Sequence, residues 1–404
     1  MTVALLARPN SPLVLRTGRP FGAADDGGGS EGLAFPKPST AAGALRAAWH
    51  DATGRIDFSP NDAARNAIHV RGPLRCTVQG DHVQLWLPAP ADAQLSVGGN
   101  KSADRLVYLL PTQPGPGSGC DLPYGLQPVL PADGDLDLRP APAWWSHDAM
   151  ALWLAARPNS KSKSKLVARQ ISAPLPQVMR THVVIDADSL QAKDKGLYFS
   201  AGVDFTMPAP AESEQGLLML VDAPPDTERS FQALHHRQGR FGADGTTVTY
   251  LDVPTLAGHI PWHCPTHLAT ALDQVAPNDV IRMVLATPAC YLRNGWYPDG
   301  LMPSACGKHL QGTLVGLPGW QVRLEAAAVG RFETLAGSAM READGKRGFT
   351  ARPMRRLAPA GSVYWLQVLS KSADAPALSR RWLQPSCYED YGGDGHGLAL
   401  LGLA

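Results

Sequence analysis

The sequence has almost no surplus of charge of either sign: 37 Lys plus Arg stand against 36 Asp plus Glu in 404 residues, a formal net charge of +1. That balance excludes a global field able to coat a polyanion, so any nucleic-acid partner must be held by local patches in a shaped groove. Paired cysteines are also lacking. Cys76, Cys120, Cys264, Cys290, Cys306 and Cys387 are widely spaced with no CxxC, which excludes a small stapled scaffold and fits reduced thiols. No apolar run reaches the length that spans a bilayer, and the opening residues carry no signal-type apolar stretch, so a cytoplasmic protein without a membrane partner is expected. GxSxG, HExxH and Walker sequences are missing, as is any pair of carboxylates spaced for hydrolysis; this weighs against a standard hydrolase or kinase.

What the chain does have is length, turns and clustered arginine. Its size allows two or three structural units with a substantial core, and its 40 Gly and 36 Pro predict many loops between the regular elements. The densest cationic stretch is KRGFTARPMRRLAPAGSVYW, which places Lys346, Arg347, Arg352, Arg355 and Arg356 together with no acid among them. Pro353 and Pro359 forbid a regular helix there, and the run 363–369 reads as a buried strand, so the pattern predicts a rigid cationic loop on a sheet edge. Arginine on a fixed backbone suits phosphate or carboxylate, because its planar fork binds two oxygens at once. A solvated surface loop has the same composition.

Earlier in the chain, 3–8 and 12–16 read as a first strand or hairpin, followed by a glycine-rich acidic loop over 25–32. In FPKPSTAAGALRAAW, Pro38 and the cap-type Ser39 precede an alanine-rich helix over 41–50 whose free first-turn amides lie beside Lys37, a natural anion site. Strands are predicted at 83–87 and 105–110, then an irregular Pro/Gly-rich connection over 111–142. Trp144, Trp145 and Trp153 can stack bases, although burial in a core is their commoner use. SKSKSK over 160–165 is a mobile cationic loop by composition. Residues 183–185 read as a strand, 186–195 as a turn with a short helical piece, and 217–221, 280–286 and 320–327 as further strands. HHRQGRFGADG over 235–245 is a second glycine-rich basic loop.

Two motifs need testing against geometry. His259, His263, Cys264 and His267 have a spacing compatible with zinc, but Pro261 and Pro265 break the helix that would align them and no second cysteine pair completes the set. Gly393, Gly395 and Gly397 look like a phosphate loop. The stretch 398–404 that follows is too short for the helix and strand such a loop requires, so only a close approach of glycine backbone to a ligand is expected.

Several segments, in this order, resemble a known family: RPFG, FPKPSTAAGALRAAW, RTHVVIDADSLQAKDKGLYF, TPACYLRNGWYPDG, Gly319 with Trp320, RPMRRLAPAGSVYW and YGGDGHG. Together they are similar to the third-subunit family of the Cmr complex, the type III-B CRISPR effector, within the Cas5-like group of the RAMP superfamily. The resemblance implies an α+β fold of two ferredoxin-like, RRM-like units, set here at 1–222 and 223–404, with long loop insertions and a protruding β-hairpin thumb. It implies a non-catalytic role without cofactor: holding the 5′ repeat-derived handle of the crRNA and docking on a Cas10-like large subunit and a Cas7-like backbone subunit, with the thumb beside target RNA near the handle.

Carried onto this sequence, the resemblance puts handle contacts on Arg19, Lys37, Ser39, Thr40 and Arg46 around the first helix. Arg180, Thr181 and His182 are expected beside the thumb, and Arg352, Arg355, Arg356, Gly393 and Gly395 complete the groove. A splayed single strand read by stacking and anchored by backbone amides fits local basic loops on a neutral protein. The alternatives are a metal-independent endoribonuclease that trims repeat RNA, with His182 the first residue to test, and a scaffold that binds protein alone.

Overall fold

Two runs of the sequence organise the early architecture, an apolar first strand and a proline-led alanine helix. The structure, a computed structural model, describes residues 2–17, 29–30, 32–54, 66–80, 82–97, 105–131, 137–157, 163–164, 170–206, 213–223, 231–253, 262–293, 295–343 and 346–404. Its main elements in chain order are β1 (Thr2–Pro9), α1 (Pro38–Thr53), β2 (His69–Gln79), β3 (His82–Pro88), α2 (His147–Ala155), β4 (Gln177–Ile185), β5 (Ala192–Val203), β6 (Glu214–Asp222), β7 (Thr247–Asp252), α3 (Thr266–Asp273), β8 (Val280–Leu285), β9 (Trp320–Ala328), β10 (Ser338–Ala343), β11 (Lys346–Ala351), β12 (Val363–Lys371) and β13 (Leu398–Leu403). They form two compact units. One draws on Met1–Val83, Pro174–His259 and Thr334–Arg355, the other on Gln84–Ala173, Ile260–Glu333 and Arg356–Ala404.

In the first unit the sheet runs β2-β6-β1-β7, every pair antiparallel, with Gln238–Arg240 beyond β7. Numbered along the chain, those four strands stand in the order 4-1-3-2 of a β-α-β-β-α-β ferredoxin-like unit. Helix α1 fills the first crossover. Its start is set by Pro38 in the first turn behind an extended Lys37, because proline's fixed φ suits a helix entrance. It ends at Gly54, whose left-handed backbone lets the amide reach the His50 carbonyl. Ala41, Ala42, Leu45 and Trp49 face the sheet and pack with Leu5, Leu217, Phe231 and Tyr250. The Trp49 ring stacks on Phe231 at 5.6 Å, and each such fully buried large side chain contributes about 2–3 kcal/mol.

The second unit repeats the order. Its strands run β9-β12-β8-β13, again antiparallel and again 4-1-3-2 along the chain. Among the described residues its first crossover, 286–319, contains no helix. Helices α2 and α3 pack on β13 instead, α2 so closely that a Cβ on Gly402 would lie 2.6 Å from the Leu154 Cβ. Helix α2 belongs to the long stretch between β2 and β4, which also holds a small sheet of Ala93–Ser96, Arg105–Pro111, Val129–Pro131, Leu138–Pro140 and Lys163–Ser164.

One buried ion pair ties that stretch to the second sheet. Arg282 of β8 and Asp92 are both fully buried, with Arg282 Nη1 donating to Asp92 Oδ2 at 2.7 Å. Arg282 Nε donates to the Leu403 carbonyl and Nη2 to those of Trp153 and Ala156. The Trp153 indole N–H donates to the other Asp92 oxygen at 2.9 Å. Two bare charges this deep would oppose folding; full hydrogen bonding is what makes the pair tolerable. Around it Tyr108 stacks on Trp153 at 3.6 Å and Trp145 meets Trp153 edge-on, so Trp145 and Trp153 are core residues.

Several expectations need amendment. Residues 111–142 are not wholly irregular, since they include the short strands 129–131 and 138–140. Of SKSKSK only Lys163 and Ser164 are described, and they pair with Val107 and Leu106. The basic stretch from Lys346 is not a loop throughout: β10 and β11 form a hairpin, and only beyond Ala351 does Pro353 interrupt the strand. Similarly, β5 begins at Ala192, inside the stretch read as a turn.

Replacing Arg282 with Met leaves Asp92 buried without its cation, and is expected to destabilise the fold by about 3–5 kcal/mol, read as a lower thermal melting point of the full chain. Adding Asp92→Leu should recover much of the loss. A single variant as stable as the parent would contradict the role given to the pair.

Candidate nucleic-acid interface

The first unit gathers three surface features around the segment 29–37. That segment pairs with β5, Gly29 beside Phe199 and Ser30 beside Ser200, and delivers the chain to α1. Lys37 caps the helix start through its carbonyl, which accepts the amides of Thr40 and Ala41. Its ammonium is buried and donates to the Thr334 carbonyl, which brings the helix entrance to the base of the β10–β11 hairpin. Ser39 and Thr40 stand half-buried in the first turn of α1. Arg46, one face further along, is buried and donates to the Ile68 carbonyl at 2.8 Å. Arg19 lies outside the described residues.

The β4–β5 hairpin is the second feature. Its root is held by Leu13 and Val14 pairing with Val203 and Gly202; the remainder extends to a turn at 186–191 in which Asp186 accepts the Ser189 and Asp188 amides. Those bonds hold the Asp186 carboxyl below its ordinary range. Arg180, His182 and Val184 alternate onto one face. There His182 Nε2 meets the Ser200 hydroxyl at 2.7 Å and its ring stacks on Tyr198 at 4.9 Å, while Arg180 makes no hydrogen bond or ion pair among the described residues. The opposite face carries exposed Thr181 with Met179 (60% exposed), Val183 (46%), Ile185 (50%) and Leu197 (54%). Val183 is directly opposite Leu197. Residues 183–185 form the strand their pattern predicts, and Met179, Val183, Ile185 and Leu197 make an open apolar stripe.

The third feature is the turn after β11. The Arg352 amide closes on the Gly337 carbonyl, and Arg352, Arg355 and Met354 are exposed. The guanidinium groups of Arg352 and Arg355 form no hydrogen bond or ion pair among the described residues. By contrast, Arg8, Arg16 and Arg71 hold Glu214, Asp244 and Asp222, and Arg75 donates to Gln215.

In the second unit Arg356 is exposed and its guanidinium lies 4.8 Å from the centre of the Phe332 ring. Neither Phe332 nor the apolar stripe of β4–β5 was singled out from sequence; exposure, which spacing does not encode, is what distinguishes them. The terminal glycines pack inward. Gly395 is buried with its carbonyl accepting from Thr287 Oγ1 at 2.8 Å, and the Gly397 amide donates to the Pro288 carbonyl. His396 Nδ1 donates to the same oxygen at 3.1 Å, and Gly393 is half-buried. This loop is a seal against the TPAC segment, its left-handed Gly395 and Gly397 allowing the tight approach.

Of the histidine and cysteine group, His259 lies outside the described residues. Burial pushes the Cys264 thiol up to about 12, the reverse of what a thiolate ligand needs. Among the described residues no three His, Cys, Asp or Glu are grouped to hold a metal. Nor, among them, is any helix long and apolar enough to cross a membrane.

The model of a family described as CRISPR-associated protein (Cas_Cmr3) matches residues 5–404. Among solved structures, the type III-B Cmr-beta bound to cognate target RNA, determined by cryo-EM, aligns with 90% of this chain and 86% of its own at 12% identity and a TM-score of 0.41. A crystal structure of the Csm3-Csm4 subcomplex of the type III-A CRISPR-Cas interference complex aligns over 100% and 99% at 8% identity and a TM-score of 0.37. No curated protein matches. Because the family model runs through both ferredoxin-like units almost end to end, the chain belongs to the Cas_Cmr3 family of CRISPR-associated proteins.

Proposed function

We propose that this subunit is non-catalytic and holds the 5′ repeat-derived handle of the crRNA, docking on a Cas10-like large subunit and a Cas7-like backbone subunit. The observation that carries the reading is the division among the arginines. The guanidinium groups of Arg180, Arg352, Arg355 and Arg356 form no hydrogen bond or ion pair among the described residues, with Arg356 set against the Phe332 ring, whereas Arg282, Arg46, Arg71 and Arg75 are committed to a carboxylate, amide or carbonyl. Cations left unpaired in a near-neutral protein suit phosphate oxygens, which guanidinium binds in a fork.

In this reading Arg180, Arg352, Arg355 and Arg356 contact the handle backbone, as does Arg19. Ser39 offers its first-turn amide, and Ser39 and Thr40 their hydroxyls, to a phosphate at the start of α1, where the helix dipole favours negative charge. Lys37, Arg46 and His182 act from behind, holding the helix entrance, the Ile68 carbonyl and the hairpin faces in place; Gly393 and Gly395 do the same for the second unit. The β4–β5 hairpin is the thumb, and its apolar stripe of Met179, Val183, Ile185 and Leu197 suits the stacked interior of a duplex near the handle.

The triple change Arg352→Ala, Arg355→Ala and Arg356→Ala is expected to weaken handle RNA binding by about 1–3 kcal/mol and to make its salt dependence shallower. Fluorescence anisotropy across a salt series checks both; an unaltered affinity and slope would contradict the reading. Incubation of the purified chain with repeat RNA in EDTA should leave the RNA intact. Cleavage that disappears in a His182→Ala variant would instead establish the endoribonuclease alternative.

A further inference from the structure

Phe332 is 48% exposed, whereas the tryptophan rings among the described residues are buried or half-buried. A singly exposed ring needs no explanation by itself; its surroundings are what point to a ligand. Several observations place it in a built environment. The Arg356 Cζ lies over the ring, 4.8 Å from its centroid, and the guanidinium has no hydrogen bond or ion pair among the described residues. Arg356 is itself positioned from beneath: Gly295 approaches so closely that a Cβ there would lie 3.2 Å from the Arg356 Cβ, and its backbone is left-handed. The turn bearing Phe332 is held as well, with Gly330 against Pro359 and Ala289 bridged to Ala358. Arg331, next to Phe332, and Arg293, two residues before Gly295, are exposed cations on the same unit. Half-buried Trp296 follows Gly295, its carbonyl fixed by the Tyr364 hydroxyl at 2.7 Å.

We infer that Phe332 and Arg356 form a stacking platform for one unpaired RNA base, with Arg331 neutralising the adjoining phosphate. The chemistry is specific in kind. An aromatic ring stacked with a guanidinium presents a flat, polarisable surface that accepts any base by its face, and the cations beside it select a polyanion over an apolar peptide. Stacking is indifferent to base identity because every base has a π-face, so the platform accepts bases without regard to sequence. The inference rests on the RNA-binding reading and adds a residue that neither charge nor motif spacing identified. Gly295 acts through Arg356 as a positioning residue.

The test uses the full chain and a single-stranded RNA of the handle sequence bearing 5-iodouridine at successive positions. Irradiation is expected to give an adduct mapping to the peptide that contains Phe332, from one position only. Phe332→Ala should weaken binding about tenfold or more without altering the salt slope, whereas Phe332→Trp should retain parental affinity. Arg331→Ala should lower the slope by about one. Because Phe332 is exposed, these variants are expected to fold, and unchanged melting curves check that. If Phe332→Ala binds RNA like the parent while the triple arginine variant does not, the platform is refuted and handle binding stands. Should both bind like the parent, both ideas fail. Loss of partner subunits from Phe332→Ala with RNA affinity intact would also refute the platform, assigning the ring to a protein contact.

Discussion

The buried Arg282–Asp92 pair is the constraint on which the second unit depends. A ferredoxin-like sheet must cover one face with helices, and the first crossover of this unit supplies none among the described residues. The face is covered partly by α2, from a stretch that precedes the unit's own first strand by well over a hundred residues. Apolar contact alone would let such a distant segment slide over the sheet. A guanidinium bound to a carboxylate and to the carbonyls of Leu403, Trp153 and Ala156 fixes one register, and any slip would strand a charge in the core.

Arginine therefore serves two opposed purposes in this chain. Where it is buried, as at Arg282 and Arg46, it donates to internal acceptors and acts as a rivet. On the turn after β11 it is exposed and on the β4–β5 hairpin half-buried, and in both places its guanidinium forms no hydrogen bond or ion pair among the described residues. The near-zero net charge keeps those positions distinct, since a generally basic surface would blur a local site into non-specific attraction. Rigidity underneath gives the open arginines their value: Lys37 locks the helix entrance to the strand at 334, and Gly295 seats Arg356.

Much of this was legible in the sequence, and the failures share a cause. Strands β8 and β12 were readable because their apolar runs are largely buried on both faces, β9 because Trp320, Val322, Leu324 and Ala326 alternate with outward positions, and α1 because Pro38 and the alanines leave little else for the backbone to do. The hairpin β10–β11 was obscured by its composition: Lys, Arg, Gly and Thr in KRGFTA carry no apolar alternation, so pairing is decided by the partner strand. Residues 183–185 presented the opposite problem, because β-branched side chains look buried whether or not anything covers them. Phe332 was invisible for the same reason. Local pattern reports what a segment can do, whereas exposure is settled by everything packed around it.

The central claim is that the uncommitted arginines, the entrance of α1 and the β4–β5 hairpin receive one end of a guide RNA. The most direct measurement is a photocrosslinking map, in the assembled effector, of the first nucleotides of the crRNA onto this chain. The account predicts adducts concentrated in 29–40, 177–203, 331–333 and 352–356. Adducts confined to other subunits, or on this chain confined to the surfaces of α2 and α3, would contradict it.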